Sequence, residues 1–308
     1  ITLDPRNYSE AELERIARAY SEAISPLIGE KIDIPAPDVN TNGKIMSWMV
    51  DAYENVVKKS APGVFTGKPV EFGGSLARTE ATGYGVNFAA VQALEKLGKD
   101  VKGATYAIQG FGNVGYHTGY YAHQSGAKVV AVSTVDVAIY NENGLDMEAL
   151  FKEFQEKGFI TNEAGYGKEI SNAELLALDV DVLAPCALEN QLTSENAGKV
   201  RAKIVVEGAN GPTTPEADAI LRQNGVLVVP DILANCGGVV VSYFEWVQNL
   251  QGYYWEFDEV QEKETVVLRR AFRDIWNLAQ EYDVDLRTAS YMMSIRRVEK
   301  AMKLRGWY

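Results

Sequence analysis

The stretch Thr105-Tyr106-Ala107-Ile108-Gln109-Gly110-Phe111-Gly112-Asn113-Val114-Gly115 decides the fold. Its apolar first part reads as a short strand, the next six residues fit G-x-G-x-x-G, and a helical stretch begins near Tyr116. In that order each glycine has a use: Gly110 makes the tight turn, Gly112 lets backbone approach a pyrophosphate, and Gly115 lets helix and strand pack closely. The N-terminus of the following helix, near Asn113 and Val114, offers amide donors and the positive end of a dipole to an anion. A glycine turn of purely structural use is the competing reading.

Working outward, further β-rich runs follow at Lys128–Ser133, Val180–Ala184, Ile204–Val206 and Val226–Val229, separated by helical segments. Short strands joined by long helical connections imply parallel pairing with right-handed crossovers, hence an α/β fold built on a doubly wound sheet. Upstream the pattern is different. Ser9-Glu10-Ala11-Glu12 has capping-box spacing ahead of Leu13, Ile16, Ala17, Tyr20 and Ile24 on one helical face. Pro35 and Pro37 then force an extended segment, and a second amphipathic helix carries Ile45, Met46, Met49, Val50 and Tyr53. After Asp231 the chain reads as long helices, with Trp246, Trp255 and Trp276 available as core aromatics.

Composition narrows the functions. The 308 residues hold 30 Lys plus Arg against 42 Asp plus Glu, a net charge of −12, and the basic residues are scattered, which argues against nucleic acid as a partner. Apolar residues make up 46% and charged ones 23%, the balance of a globular enzyme of about two domains. Two cysteines, Cys186 and Cys236, build neither a disulfide scaffold nor a four-ligand zinc site and suit a reducing cytoplasm. No apolar run approaches the ~20 residues of a membrane helix, and no signal segment opens the chain, so a cytoplasmic protein without a membrane partner is expected. The first residue, Ile1, opens directly into a strand-like Ile-Thr-Leu, so that a segment upstream is expected to have been lost or to lie outside this sequence.

Several polar residues stand where chemistry is done. A dinucleotide fingerprint places an acid about 20 residues beyond the glycines, on the ribose hydroxyls; here Thr134 occupies that neighbourhood and Asp136 lies two positions later. Asp136 would repel a 2′-phosphate whereas Ser133 and Thr134 would tolerate one, which favours NAD while leaving NADP open. Asp38, in a rigid proline-flanked segment, suits proton transfer or forms an Asx turn into the second helix. Arg78 and Thr82 lie at a glycine-rich loop-to-helix entry, where Thr82 binds an amide or simply steadies the turn. Asn210 and Asn235 follow the fourth and fifth strand runs, at the sheet edge where ligands bind, and an amide side chain matches a nicotinamide carboxamide. Structural turns are the alternative for both. His117 and His123 are six apart, not the four that places two ligands on one helical face, so no metal site is expected. Neither a G-x-S-x-G elbow nor a G-x-x-x-x-G-K-[ST] loop is present.

With these residues in hand, the chain resembles glutamate dehydrogenase of the hexameric bacterial and archaeal type, in the Glu/Leu/Phe/Val dehydrogenase family. The matching segments run along nearly the whole chain: Asp33 to Thr41, Thr66 to Val70, Gly73-Gly74-Ser75 with Arg78 and Glu80 to Gly83, the glycine loop, Val206 to Asp218, and Pro230 to Asn235 continuing to Trp246. The resemblance implies a Rossmann-like sheet with a partial, mainly helical remnant of the substrate domain. It also implies oxidative deamination of glutamate with NAD or NADP: hydride leaves the α-carbon for nicotinamide C4, and water hydrolyses the imine to 2-oxoglutarate and ammonium. By the same resemblance Asp38 is expected to take the family's proton-transfer role, Arg78 and Thr82 to line the cleft, Thr82, Asn210 and Asn235 to lie near the nicotinamide, and Ser242 to contact the distal carboxylate of glutamate. A homohexamer is what the resemblance implies for the assembly.

The same resemblance sets expectations for the boundaries: residues 1–66 as the substrate-domain remnant, 67–282 as the dinucleotide-binding domain, and 283–308 as a final helix returning to the first domain. Three departures stand out. The lysines that bind substrate carboxylates and activate water in the family lie upstream of the matched segments, and Lys68 belongs to a different motif. Residues 1–308 alone are therefore expected to bind coenzyme with little turnover, and normal chemistry is expected with the upstream part. Thr134 stands near the position of the expected acid, and Cys236 replaces a usual alanine, which a buried site tolerates. A Leu, Val or Phe dehydrogenase and a non-catalytic dinucleotide-binding fragment are the competing readings.

Overall fold

A computed structural model describes residues 1–307. The chain divides into two compact units, Ile1–Thr79 with Gly238–Glu264, and Glu80–Gly237 with the residues from Thr265 on.

The first unit opens with helix α1 (Glu10–Ile24), where Ser9 and Glu12 form the reciprocal capping box expected from their spacing. Helix α2 (Gly43–Val57) is capped by Asn42, whose side-chain oxygen accepts from the Ile45 amide at 3.2 Å. The two pack through Ala17, Met46, Met49, Val50 and Tyr53, with Ile28, Val64 and Phe65 closing this small core. Ser21, fully enclosed, donates to the Met49 carbonyl at 2.7 Å and fixes the contact.

The second unit begins with α3 (Ala81–Lys96) and continues as β1 (Thr105–Gln109), α4 (Asn113–Gln124), β2 (Lys128–Ser133), β3 (Ala138–Tyr140), α5 (Met147–Lys157), β4 (Lys168–Ile170), α6 (Asn172–Leu176), β5 (Val182–Pro185), β6 (Ile204–Val206), α7 (Pro215–Gln223), β7 (Leu227–Val229) and α8 (Asp231–Ala234). The helices α9 (Gly237–Gln251), α10 (Phe257–Tyr282) and α11 (Leu286–Leu304) complete the chain. The sheet order is β4-β3-β2-β1-β5-β6-β7, with β2, β1, β5, β6 and β7 parallel neighbours. This is the expected doubly wound sheet. Its β1, β2 and β6 coincide with runs read from sequence, and β5 and β7 begin within two residues of theirs. The three-residue strands β3 and β4, which pair antiparallel at one edge, escape a periodicity reading. A strand that short has no alternation to display, and β4 is largely exposed.

The expected boundaries at 66/67 and 282/283 are not where the two units part. Helix α9 belongs almost entirely to the first unit, because Trp246 Nε1 donates to the Glu30 carbonyl at 2.7 Å and Glu245 is held by Gly67 and Lys68. Helix α11, expected to return to the first unit, instead buries Leu286 and Ala289 in the core of the sheet unit with Val229, Leu233 and Phe272. Apolar burial at the start of α11 decides its partner, and nothing in its periodicity distinguishes one apolar surface from another. No helix among the described residues is long and apolar enough to cross a membrane.

Candidate functional site

In the sheet unit the chain leaves β1 in one direction to β2 and returns on the other side to β5, so the carboxyl ends of β1 and β5 flank the point where winding reverses. Ligands of open α/β sheets bind at that point. Gly110 sits there with φ of +87°, and a Cβ on it would strike the Ala187 backbone at 2.7 Å. Its amide donates to Ser133 Oγ at 3.2 Å, and the Phe111 amide donates to the Ser133 carbonyl at 2.7 Å, so the end of β2 holds the loop. At Gly115 a Cβ would come within 1.8 Å of the Gly110 carbonyl oxygen, which is why the helix can begin so close to the strand only with glycine there. Gly112, the N-cap of α4, is exposed, faces open space and supplies no side chain to cap the helix. Helix-start amides without a side-chain cap beside an open glycine suit an anionic group such as a pyrophosphate.

The residues proposed for the rest of a dinucleotide fall at the same edge. Asn210 follows β6 and Asn235 follows α8. The structure brings them together: Asn235 Nδ2 donates to Asn210 Oδ1 at 2.7 Å and to the Gly208 carbonyl at 3.3 Å. Thr82, half-buried, lies in the first turn of α3. Thr134 is engaged in a different task. Its amide donates to the Val137 carbonyl at 2.7 Å, and its hydroxyl oxygen accepts from the amides of Asp136 and Val137, which closes the tight turn between β2 and β3. Asp136 stands exposed on that turn. The turn into the antiparallel β3 thus puts Thr134 to structural use and leaves Asp136 as its exposed acid. His123 lies 3.3 Å from Glu148, whereas burial holds the His117 imidazole below its ordinary pKa against the pull of Glu80, so the two rings serve separate surroundings.

Of the residues proposed for substrate, Asp38, Arg78 and Ser242 fall in the first unit, whereas Thr82 falls in the sheet unit. Arg78 Nε donates to Ser242 Oγ at 2.9 Å, joining two residues 164 positions apart. Burial lowers the pKa of the Arg78 guanidinium, and the charges of Glu245 and Glu264 pull it back up. Asp38 makes only local bonds: its carboxylate accepts from the Val39 amide at 2.8 Å and its own amide donates to Thr41 Oγ1 at 2.6 Å. The Asx-type turn weighed in the sequence would need this carboxylate on the amide two residues ahead; instead the Thr41 amide donates to the Asp38 carbonyl at 2.9 Å to close a backbone turn, and the carboxylate stays exposed. Lys68 is fully enclosed and donates to Glu245 Oε1 at 2.7 Å and to the Phe65 carbonyl at 2.6 Å. An ammonium so enclosed and so committed serves the scaffold and is not presented to a substrate carboxylate.

Sequence reasoning missed the polar framework behind the asparagines. Glu207, Asp218, Asp231 and Arg287 form one ion-pair cluster, with Arg287 bonded to the first two at 2.7 and 2.6 Å. Glu207 was visible as the residue between a strand and Gly208-Ala209-Asn210; Arg287, 80 residues later on a helix, carries no local signal.

A doubly wound sheet with a glycine-rich β1–α4 loop and paired amides at its carboxyl edge defines the class of dinucleotide-dependent α/β proteins. Residues 73–306 match the family model described as Glutamate/Leucine/Phenylalanine/Valine dehydrogenase, and residues 1–55 match the Glu/Leu/Phe/Val dehydrogenase dimerisation domain. The chain is 54% identical over its whole length to an NAD-specific glutamate dehydrogenase of Clostridioides difficile, of which it covers 74%. It is 50% identical to a glutamate dehydrogenase of Thermotoga maritima, again over 74% of that protein. Among solved structures, the glutamate dehydrogenase of Peptoniphilus asaccharolyticus superposes with a TM-score of 0.87 at 44% identity, covering 99% of this chain and 73% of that one. The hetero-hexameric glutamate dehydrogenase of Thermus thermophilus gives 0.92 at 35% identity, with 99% and 72% covered. The protein belongs to the Glu/Leu/Phe/Val dehydrogenase family and is an oxidoreductase with its Rossmann-like fold.

Proposed function

We propose that the protein is a glutamate dehydrogenase that converts L-glutamate to 2-oxoglutarate and ammonium with NAD as coenzyme. The observation that carries this reading is the 54% identity, over an alignment spanning the whole chain, to a relative named NAD-specific glutamate dehydrogenase. The geometry supports it from both units. Gly110, Gly112, Gly115 and the uncapped start of α4, with Asn113 and Val114, suit the pyrophosphate; Thr82, Asn210 and Asn235 suit the nicotinamide amide; Asp136 suits the adenosine ribose, on a turn that Thr134 shapes. When bound, the coenzyme accepts a hydride equivalent from the substrate α-carbon. Asp38, exposed and held in direction by the Val39 amide, serves as the proton carrier to and from the substrate nitrogen. Arg78 and Ser242, already bonded to each other, present a guanidinium and a hydroxyl that suit an acidic side chain better than a branched or aromatic one.

An oligomer fits the match of residues 1–55 to a dimerisation domain, and a homohexamer is the form proposed, in a cytoplasm where Cys186 and Cys236 stay reduced. Light scattering on the purified protein checks the hexamer.

Glutamate-dependent reduction of NAD and of NADP, followed by absorbance, tests the function. Turnover with glutamate well above that with leucine, valine or phenylalanine is expected. Coenzyme binding without turnover on any of the four amino acids would leave a dinucleotide-binding module instead.

A further inference from the structure

We propose that Arg287 is a positioning residue for the coenzyme, locking together the two loops that carry Asn210 and Asn235. The inference rests on the reading of those asparagines as nicotinamide ligands and extends it to the residue that sets their spacing.

The Asn210 loop and the Asn235 segment meet through Asp231. Its amide donates to Glu207 Oε2 at 2.7 Å, and its carboxylate Oδ2 accepts from the Gly211 amide at 2.8 Å. Asn210 is therefore bracketed three residues before and one residue after by bonds to a residue four positions ahead of Asn235. Both bonds depend on acids that would repel each other if left alone, since Glu207 is fully buried and Asp231 is mostly so. Arg287 resolves this with one planar group: it donates to Glu207 Oε1 at 2.7 Å and to Asp218 Oδ2 at 2.6 Å, with Asp231 Oδ1 at 3.5 Å. Burial raises the pKa of the Glu207 carboxyl, and Arg287 is the chief group pulling it back toward ionisation. Burial alone would lower the Arg287 guanidinium, yet its bonds to Glu207 and Asp218 hold it above the ordinary arginine value. Two donors bonded to separate carboxylates, with a third nitrogen 3.5 Å from Asp231, need the rigid fork of arginine; a lysine ammonium supplies the charge without the spacing. The Asn235–Asn210 bond of 2.7 Å would then shift with the loops, and displacements on that scale are felt strongly by a bound ring.

The test uses the whole protein with Arg287→Lys, Asp218→Asn and Asn235→Ala, measuring NADH affinity by fluorescence titration, KM for NAD and for glutamate, kcat, and thermal midpoint. Arg287→Lys is expected to weaken NADH binding about tenfold and to raise the KM for NAD in step, with the KM for glutamate within about twofold. Asp218→Asn, which removes the charge of one partner of the fork and leaves Glu207 paired, is expected to give about a threefold loss and carries the test if the lysine variant does not fold. A lowered thermal midpoint with unchanged NADH affinity in Asp218→Asn and in folded Arg287→Lys would overturn the proposal, since a purely structural ion pair behaves that way. Asn235→Ala separates the two readings: if it weakens NADH binding while Arg287→Lys does not, the role of Arg287 alone fails. If Asn235→Ala leaves NADH affinity unchanged, the nicotinamide reading fails and the proposal falls with it.

Discussion

Glu245 in the first unit and Glu207 in the sheet unit are both fully buried carboxylates, and each is satisfied in a different manner. Glu245 is surrounded by donors from one short segment: the Gly67 amide at 2.8 Å, the Lys68 amide at 3.2 Å and Lys68 Nζ at 2.7 Å. Burial lowers the Lys68 pKa and Glu245 raises it, so the pair is a compact, local clamp of helix α9 on residues 67 and 68. Glu207 shares its cation with Asp218 and Asp231, so its neutralisation is spread over α7, α8 and α11. A dedicated pair fixes one contact, whereas a shared cation makes the positions of three elements depend on one another. The first arrangement suits a scaffold and the second suits a site whose parts must keep register.

Breaking the dedicated pair gives the largest expected effect. Lys68→Met leaves a buried carboxylate without its cation and should destabilise the first unit by about 3–5 kcal/mol, read as a lower thermal midpoint or denaturation midpoint. Adding Glu245→Gln removes the charge and should recover part of that loss. Recovery stays incomplete because one amide oxygen can serve only one of the Gly67 and Lys68 amides that two carboxylate oxygens now serve. A double variant no more stable than Lys68→Met would mean that the charge of Glu245 is not what Lys68 relieves.

The contrast sharpens at the proposed substrate contacts. Ser242 lies on the same helix as Glu245, three residues earlier, and accepts from Arg78. Ser242→Ala removes a hydroxyl that suits the distal carboxylate, and a hydrogen bond to a charged group contributes ~1.5–3 kcal/mol. The KM for glutamate should rise at least tenfold while NADH affinity stays put. An equal rise in both would break the division of labour between the two units. A third carboxylate, Asp181, completes the series from buried to accessible. Burial would raise its pKa, but bonds from Lys99 at 2.6 Å, the Thr105 amide at 3.0 Å and Lys203 at 2.9 Å hold it well below the ordinary aspartate value. A depressed folded-state pKa means stability that is present above the unfolded value near 3.8 and lost as pH falls below it. Asp181→Asn should therefore flatten the acid limb of a stability–pH curve below about pH 4 and cost about 1–2 kcal/mol at neutral pH, discounted for the partial exposure of both lysines.

How much of this was legible follows the range of each interaction. Ser9 with Glu12 and the Gly110-to-Gly115 loop act within a few residues, so their spacing announced them. The parallel strands were legible because buried strands are continuous apolar runs. The edge strands β3 and β4 were not, since three residues show no period, and the partner of α11 was not, because an apolar helix face does not name the surface it will cover. Asn210 and Asn235 stand out singly by their place after strands; that they bond to each other required the fold. Arg287 lay beyond reach for the same reason: its partners are 56, 69 and 80 positions away in sequence.

The smallest expected effect concerns the turn that carries Asp136. Thr134 commits its hydroxyl to the amides of Asp136 and Val137, so it shapes the turn and Asp136 carries the only charge on it. If that carboxylate disfavours a 2′-phosphate, it does so across solvent, where like charges a few ångströms apart repel by about 1 kcal/mol and added salt screens them. Asp136→Ser should then reduce the preference for NAD over NADP by about fivefold at low ionic strength, and by less as salt is raised. Thr134→Asp is the complementary change, because an aspartate can keep the turn by accepting the same two amides while adding a charge nearer the end of β2. It should increase the NAD preference. A preference indifferent to Asp136 at low salt, yet responsive to Thr134→Asp, would place the discrimination in the turn's geometry and not in its charge. The sheet unit would then select its coenzyme the way it holds its asparagines, by fixing backbone.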